Sequence, residues 1–211
     1  MINVVTSNPL NLPDIAKCHN ECFKNSLSSR LGTAYTKKTF EWFLAGKNRF
    51  LFHAVKNSEV IGYCGGFIPQ YEGDGSTSGM MQYAMSQAIL GVVIHPWVLF
   101  SKEVIAMYPL IFKNIKRKIS GNNNTEKVQA VKPFDLRAGL VVIGVKPEHR
   151  GSGVFQTLMH EFEVRVRGYA ISKLTLSVKK NNARAINAYT KQGWFITKEH
   201  EHTLEMCKYI E

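Results

Sequence analysis

Apolar and polar positions along the chain fall into short runs that change period. Leu140 to Val145 is a continuous apolar run rich in β-branched residues and cut off at Pro147, which predicts a buried strand. Val154, Phe155, Leu158, Met159, Phe162 and Val166 then recur at i, i+3 and i+4, the period of an amphipathic helix. Leu174 to Val178 alternates as a further strand, and Trp194 to Glu199 with His202 to Lys208 reads as a closing hairpin. Upstream, Ile2 to Thr6 predicts a short strand, and a helix begins near Pro13-Asp14, where Asp14 can cap it or favour its positive end. Lys24 to Tyr35 shows no period and reads as a loop. Thr36 opens a second short helix, faced by Phe40, Phe43 and Leu44 and ended by Gly46. Arg49 to Lys56 and Val60 to Ile68 form an antiparallel hairpin about Asn57-Ser58-Glu59, and the glycines of the second run predict a bend or bulge.

Tyr71 to Asp135 is too long for a structureless connection in a compact domain, so it must carry structure of its own. Met80 to Ile94 and Val104 to Ile119 look helical, split by His95-Pro96. The second has an apolar stripe and a basic end made of Lys113, Lys116, Arg117 and Lys118, open to three readings: a solvated end, a cover over an anionic acceptor, or a peripheral membrane contact.

Between the strand ending at Val145 and the following helix lies Arg150-Gly151-Ser152-Gly153-Val154. Two glycines one residue apart let the backbone turn tightly, with its N–H groups and the helix's positive end facing one space. Strand, glycine loop and helix together predict a phosphate site. It is not a Walker loop, since no Gly-Lys-Ser/Thr follows Gly153, and not a dinucleotide fingerprint, since Gln156 stands where a third glycine belongs.

The pattern V-x-P-x-x-R-G-x-G-V (Val145, Pro147, Arg150, Gly151, Gly153, Val154) resembles the acetyl-coenzyme A pyrophosphate loop of the GNAT superfamily of N-acetyltransferases. The segment Asn181 to Trp194 is similar to that family's N-x-x-A-I-x-x-Y-x-K-x-G-aromatic segment, in matching order and spacing. The resemblance implies a mixed α/β (α+β) fold: a mostly antiparallel central sheet flanked by helices, splayed between strands four and five, with the helical insertion 71–135 between strands three and four of a single domain, 1–211. It implies that Ile143, Gly144 and Val145 pair with the pantetheine arm and present an N–H to the thioester oxygen. Arg150 to Val154 would hold the pyrophosphate, with Ser152 adding a hydroxyl, and Asn182 would contact the cofactor arm with Asn181 as its substitute. Tyr189 would be the general acid, because a phenol is protonated at neutral pH and can donate to a leaving thiolate.

The general base does not carry over. Ala138-Gly139-Leu140 offers no carboxylate where some family members have one, which leaves Asp135, Glu72, His53 or a water relay. The acceptor expected is a small-molecule primary amine, and a protein N-terminus, a polyamine or an antibiotic stays open beside it. The Leu31-Gly32 loop and the insertion resemble family members of bacterial surface-polysaccharide pathways, which implies an amino sugar on a nucleotide or lipid carrier.

Charge and cysteines narrow the alternatives. The chain has 27 Lys and Arg against 16 Asp and Glu, a net charge of +11, spread along its 211 residues without a nucleic-acid recognition motif. Coenzyme A is itself polyanionic, so the charge does not call for nucleic acid. A non-catalytic acyl-coenzyme A binding module and a basic nucleic-acid or membrane-surface protein are the rival readings. Cys18, Cys22, Cys64 and Cys207 lack C-x-x-C spacing and read as reduced thiols with no metal site. The start, MINVVTSNPLNLP, has no secretory pattern and Ala88 to Phe100 is too short to span a bilayer, so a cytoplasmic monomer or homodimer is expected.

Overall fold

The computed structural model describes residues 2–71, 74, 76–101, 104–105 and 135–211, without the side chains of 76–78. Glu72 and most of the segment Val104 to Ile119 lie outside the described residues.

Among the described residues seven strands make one sheet in the order β1-β2-β3-β4-β5-β7-β6: β1 Asn3–Thr6, β2 Arg49–Lys56, β3 Glu59–Phe67, β4 Ala138–Val145, β5 Lys173–Lys179, β6 Phe195–Glu199 and β7 Thr203–Tyr209. β4 and β5 are parallel and the other neighbours antiparallel. The central strands are covered on both faces, which is why β2 and β3 read as near-continuous apolar runs. On one face, α6 (Val154–Arg167) lays Val154, Leu158 and Phe162 against Phe50, Phe52 and Cys64. On the other, α1 (Leu12–Cys22) and α3 (Thr33–Leu44) bring Leu12, Ile15, Phe40 and Phe43 onto Leu51 and Tyr63. Each core side chain of this size contributes on the order of 2 kcal/mol through removal from water.

Three local expectations change. The stretch read as a loop contains α2 (Leu27–Arg30), because Ser26 caps it by accepting from the Ser29 N–H. α3 begins at Thr33 instead of Thr36, since Gly32 at φ +97° supplies a backbone turn that its lack of a period did not reveal. The helix expected over Met80 to Ile94 is two, α4 (Ser76–Tyr83) and α5 (Met85–Ile94), broken at the buried Ala84.

The glycines of β3 do mark an irregularity. Gly65 pairs with Val142 and Gly66 with Leu140, so Val141 is an extra residue that bulges β4. The bulge sits where β4 leaves β5: their pairing covers only Ala138↔Leu174, Gly139↔Thr175 and Leu140↔Leu176, and β4 then bends away. Gly66 also admits the Phe50 and Phe162 rings, which a Cβ there would meet at 2.2 and 2.7 Å.

Candidate functional site

Where β4 and β5 part, a cleft of about 770 Å³ opens, walled by Leu140 to Val145 on one side and Leu176 to Lys179 on the other. Peptide groups on the facing edges have lost each other as partners there, so a bound chain can take their hydrogen bonds. The cleft runs to the start of α6 and to α7 (Ala183–Thr190), whose N-terminus follows β5.

The glycine loop is built as an anion cradle. Gly151 and Gly153 have φ of +80° and +87°, which glycine adopts without strain, and a Cβ on either would project into space with no protein atom within 4 Å. Gly153 is the residue before α6, and the first helical N–H to find a carbonyl is that of Thr157, on Gly153 O at 3.0 Å. The donors ahead of it belong to the unpaired first turn and carry the helix's positive end. Arg150, Lys179, Arg184 and Lys191 add four cations to the cleft wall, and among the described residues no carboxylate lines it. This set fits a pyrophosphate-bearing cosubstrate.

The expected cofactor residues play unequal parts. Ile143, Gly144, Val145, Arg150, Gly151 and Asn182 line the cleft, whereas Ser152, Gly153, Val154 and Asn181 lie outside its wall. Arg150 also braces the loop: Nε donates to Val145 O at 3.1 Å and Nη2 to Cys22 O at 3.3 Å, joining β4 to the end of α1. The Ser152 hydroxyl donates to His149 O at 2.7 Å and so stiffens the loop it belongs to. Val154 is buried beside Gly62, which leaves its N–H as the group to offer a ligand. Asn182 caps α7, its Oδ1 accepting from the Ala185 N–H at 3.3 Å, and keeps its amide hydrogens for the cleft.

Tyr189 stands on the cleft wall between Phe155 and Trp194, with ring centroids 5.7 and 6.0 Å away. Burial, with the Cys64 thiol nearby, raises its phenol above the ordinary value of 10, so it stays protonated at neutral pH.

The base candidates lie elsewhere. His53 is buried within β2, paired through Nδ1 with Ser7 Oγ at 2.9 Å, and Asp135 pairs with Lys173 ahead of the start of β4; neither lines the cleft.

What the cleft holds instead is His19, with Phe23 and Ser26. His19 Nδ1 lies 2.6 Å from Tyr63 Oη and Nε2 lies 2.8 Å from Ser28 Oγ. Burial lowers its pKa to about 4. Tyr63 is fully buried beneath Gly144, where a Cβ would meet its ring at 2.6 Å and its hydroxyl at 2.7 Å. No spacing in the sequence marks this group, since α1, α2 and β3 meet only on folding.

The end of α1 is anchored beside this group. Lys146, almost wholly buried after β4, pairs with Glu21 at 2.7 Å and Glu59 at 2.5 Å. Burial opposes its charge, but the two carboxylates outweigh that and raise its pKa.

The profile of the acetyltransferase (GNAT) family matches residues 119–194, the stretch that holds β4, the glycine loop, α6, β5 and α7. No curated protein matches the chain. Solved structures share its fold at low identity. PaiA N-acetyltransferase from Thermoplasma acidophilum, in complex with coenzyme A, is 12% identical, with 100% of this chain and 99% of that one covered and a TM-score of 0.59. NAA60 from Arabidopsis thaliana, in complex with acetyl-CoA, is 15% identical, with 100% and 99% covered and a TM-score of 0.60. The ribosomal-protein-S18-alanine N-acetyltransferase from Escherichia coli is 13% identical, with 100% and 94% covered and a TM-score of 0.56. Among the described residues no helix is long and apolar enough to cross a membrane.

Proposed function

We propose, from the premise that this chain is an acyltransferase of the GNAT fold drawing on acetyl-coenzyme A, that it acetylates the primary amine of a small polar molecule. The observation that carries the reading is the splayed cleft ending on the Gly151–Gly153 cradle, at the unpaired first turn of α6. In this reading the β4 edge over Ile143 to Val145 pairs with the pantetheine arm and offers an N–H to the thioester oxygen as negative charge develops there. Asn182 holds the arm by its amide. The amine nitrogen bonds to the carbonyl carbon, the carbon–sulfur bond breaks, and Tyr189 protonates the departing thiolate.

The acceptor class follows from charge. A cleft lined by Arg150, Lys179, Arg184 and Lys191, with no carboxylate among its described lining residues, repels a polyamine and tolerates an amine whose carrier is neutral or anionic. An amino sugar on a nucleotide or lipid carrier meets that demand.

Acetyl-coenzyme A should raise the melting temperature of the wild type, and Gly153→Asp, which adds bulk and negative charge to the cradle, should remove the shift. Release of coenzyme A should then be followed with free and nucleotide-linked amino sugars, polyamines and N-terminal peptides, with turnover expected on the first group. No thermal shift at saturating cosubstrate would refute acetyl transfer; fastest turnover on a polyamine or a peptide would refute the acceptor assignment.

A further inference from the structure

A helix on the surface of a globular domain turns its apolar residues inward and its polar ones out, and α5 does the reverse. Its inward positions are small: Ala84, just before the helix, is fully buried, and Gly91 sits so close to Leu31 that a Cβ would meet Leu31 O at 2.5 Å. Its outward positions are large. Ile89, Leu90, Val93 and Ile94, at i, i+1, i+4 and i+5 on one side, are 62, 47, 71 and 57% exposed. In the turn that follows, Pro96–Phe100, Trp97 and Phe100 are 62 and 80% exposed. From Gly75 to Ser101 the chain holds no Asp, Glu, Lys or Arg. Single exposed apolar side chains are ordinary on a protein surface, whereas an apolar stripe continued by two aromatic-bearing turns of chain marks a surface that meets a partner.

Three observations say what that partner is. Polar-tipped aromatics flank the stripe, Tyr83 ahead of α5 and Trp97 after it, both part-exposed; such rings, with an apolar body and a hydrogen-bonding tip, settle at the boundary between hydrocarbon and water. The charge has one sign. In sequence, Gly75 to Thr125 carries Lys102, Lys113, Lys116, Arg117 and Lys118 against the single acid Glu103. Those six residues lie outside the described ones, and their charge alone bears on the partner. A basic run beside an apolar face is drawn to an anionic lipid surface, while a chain of net charge +11 repels a second copy of itself. Length then separates lying on a bilayer from crossing it: the ten residues of α5 are about 15 Å long, half of a hydrocarbon core of about 30 Å.

We propose that the outer face of α5 and of the Pro96–Phe100 turn docks on an anionic lipid bilayer, with Ile89, Val93, Trp97 and Phe100 entering the headgroup boundary. Gly91 of α5 rests on Leu31, which follows α2, and Ser26 just before α2 lines the cleft, so the docking face is one short helix away from it. A docked chain would hold the cleft near the membrane, where an amine on a lipid carrier is met. That consequence rests on the acetyl-transfer reading; the docking does not.

Trp97 supplies a direct readout, because Trp42 and Trp194, the other two tryptophans, are only 3 and 1% exposed. The full chain should sediment with vesicles of phosphatidylglycerol in phosphatidylcholine, and its tryptophan emission should shift to the blue. Vesicles of phosphatidylcholine alone should bind at least about tenfold more weakly, and raised salt should weaken binding to the anionic ones. Val93→Ser combined with Phe100→Ser should weaken partitioning by at least about tenfold and leave the melting temperature near wild type, since both side chains already face water. Trp97→Phe should keep the binding and lose the blue shift. Equal binding by wild type and the double variant, or to neutral and anionic vesicles alike, overturns the proposal. So does a Trp97 shielded from acrylamide before any vesicle is added: in a dimer by sedimentation velocity a second copy covers the face, and in a monomer another segment of this chain does. Vesicle binding needs no turnover, so its failure leaves acetyl transfer standing, and failure to acetylate any amine leaves the docking standing.

Discussion

The two walls of the cleft are made differently. From Ala138 to Thr190 the working groups are mainly backbone: a strand edge freed by the bulge at Val141, two positive-φ glycines and the N-termini of α6 and α7. On the acceptor side they are side chains from three segments, His19 on α1, Ser26 and Ser28 around α2, and Tyr63 on β3, joined by hydrogen bonds. Backbone chemistry demands particular residue types at fixed local spacing, because only glycine tolerates the turn and the close approach. Side-chain chemistry can be assembled from anywhere the fold brings together. In the proposed reading the first wall takes the constant cosubstrate, and the second is free to vary with the acceptor.

The comparison can be broken most severely at Tyr189, a side chain on the backbone-built wall. Tyr189→Phe should reduce kcat by roughly ten- to a thousand-fold, up to about 4 kcal/mol, with acetyl-coenzyme A affinity nearly unchanged, measured by steady-state kinetics beside calorimetric binding. A loss of affinity with kcat intact would make the hydroxyl a binding contact.

Acid tests the other wall. His19 has its pKa lowered to about 4 from an ordinary 6.5, so between these values the unfolded chain binds more protons than the folded one. Stability should be full above about pH 6.5 and fall as pH drops toward 4, by at most about 3 kcal/mol from this group. Urea titrations of wild type and His19→Gln across that range should show the variant with the shallower dependence; parallel curves would mean that His19 is not buried neutral.

Gly153→Ala sharpens the claim about backbone. At φ +87° an alanine is strained by about 1–2 kcal/mol, and its methyl would occupy the cradle, so acetyl-coenzyme A should bind at least about tenfold more weakly while Tyr189 chemistry persists. Unchanged affinity would mean that the phosphates lie elsewhere. The smallest effect is expected at Ser152. Its hydroxyl serves His149 O, so Ser152→Ala should cost about 1 kcal/mol of stability or less and change cosubstrate affinity by under about threefold.

The sequence by itself determined the strands, glycine loop and helices of the wall from Leu140 to Trp194. Apolar runs at Leu140 to Val145 and Leu174 to Val178, the paired glycines, and the Asn182-to-Trp194 spacing each follow from local backbone and helix geometry, which leaves a mark at fixed intervals. α2 and the true start of α3 escaped because a capping serine and one left-handed glycine set them, without hydrophobic period. Only the tertiary structure decided where β4 leaves β5, since the bulged residue Val141 is indistinguishable from its apolar neighbours until β3 is laid beside it. Only it joined His19, Ser28 and Tyr63, whose hydrogen bonds span 9 and 44 positions. A hydrogen bond between distant residues depends on how elements pack, and packing constrains volume and burial far more tightly than it constrains any interval along the chain.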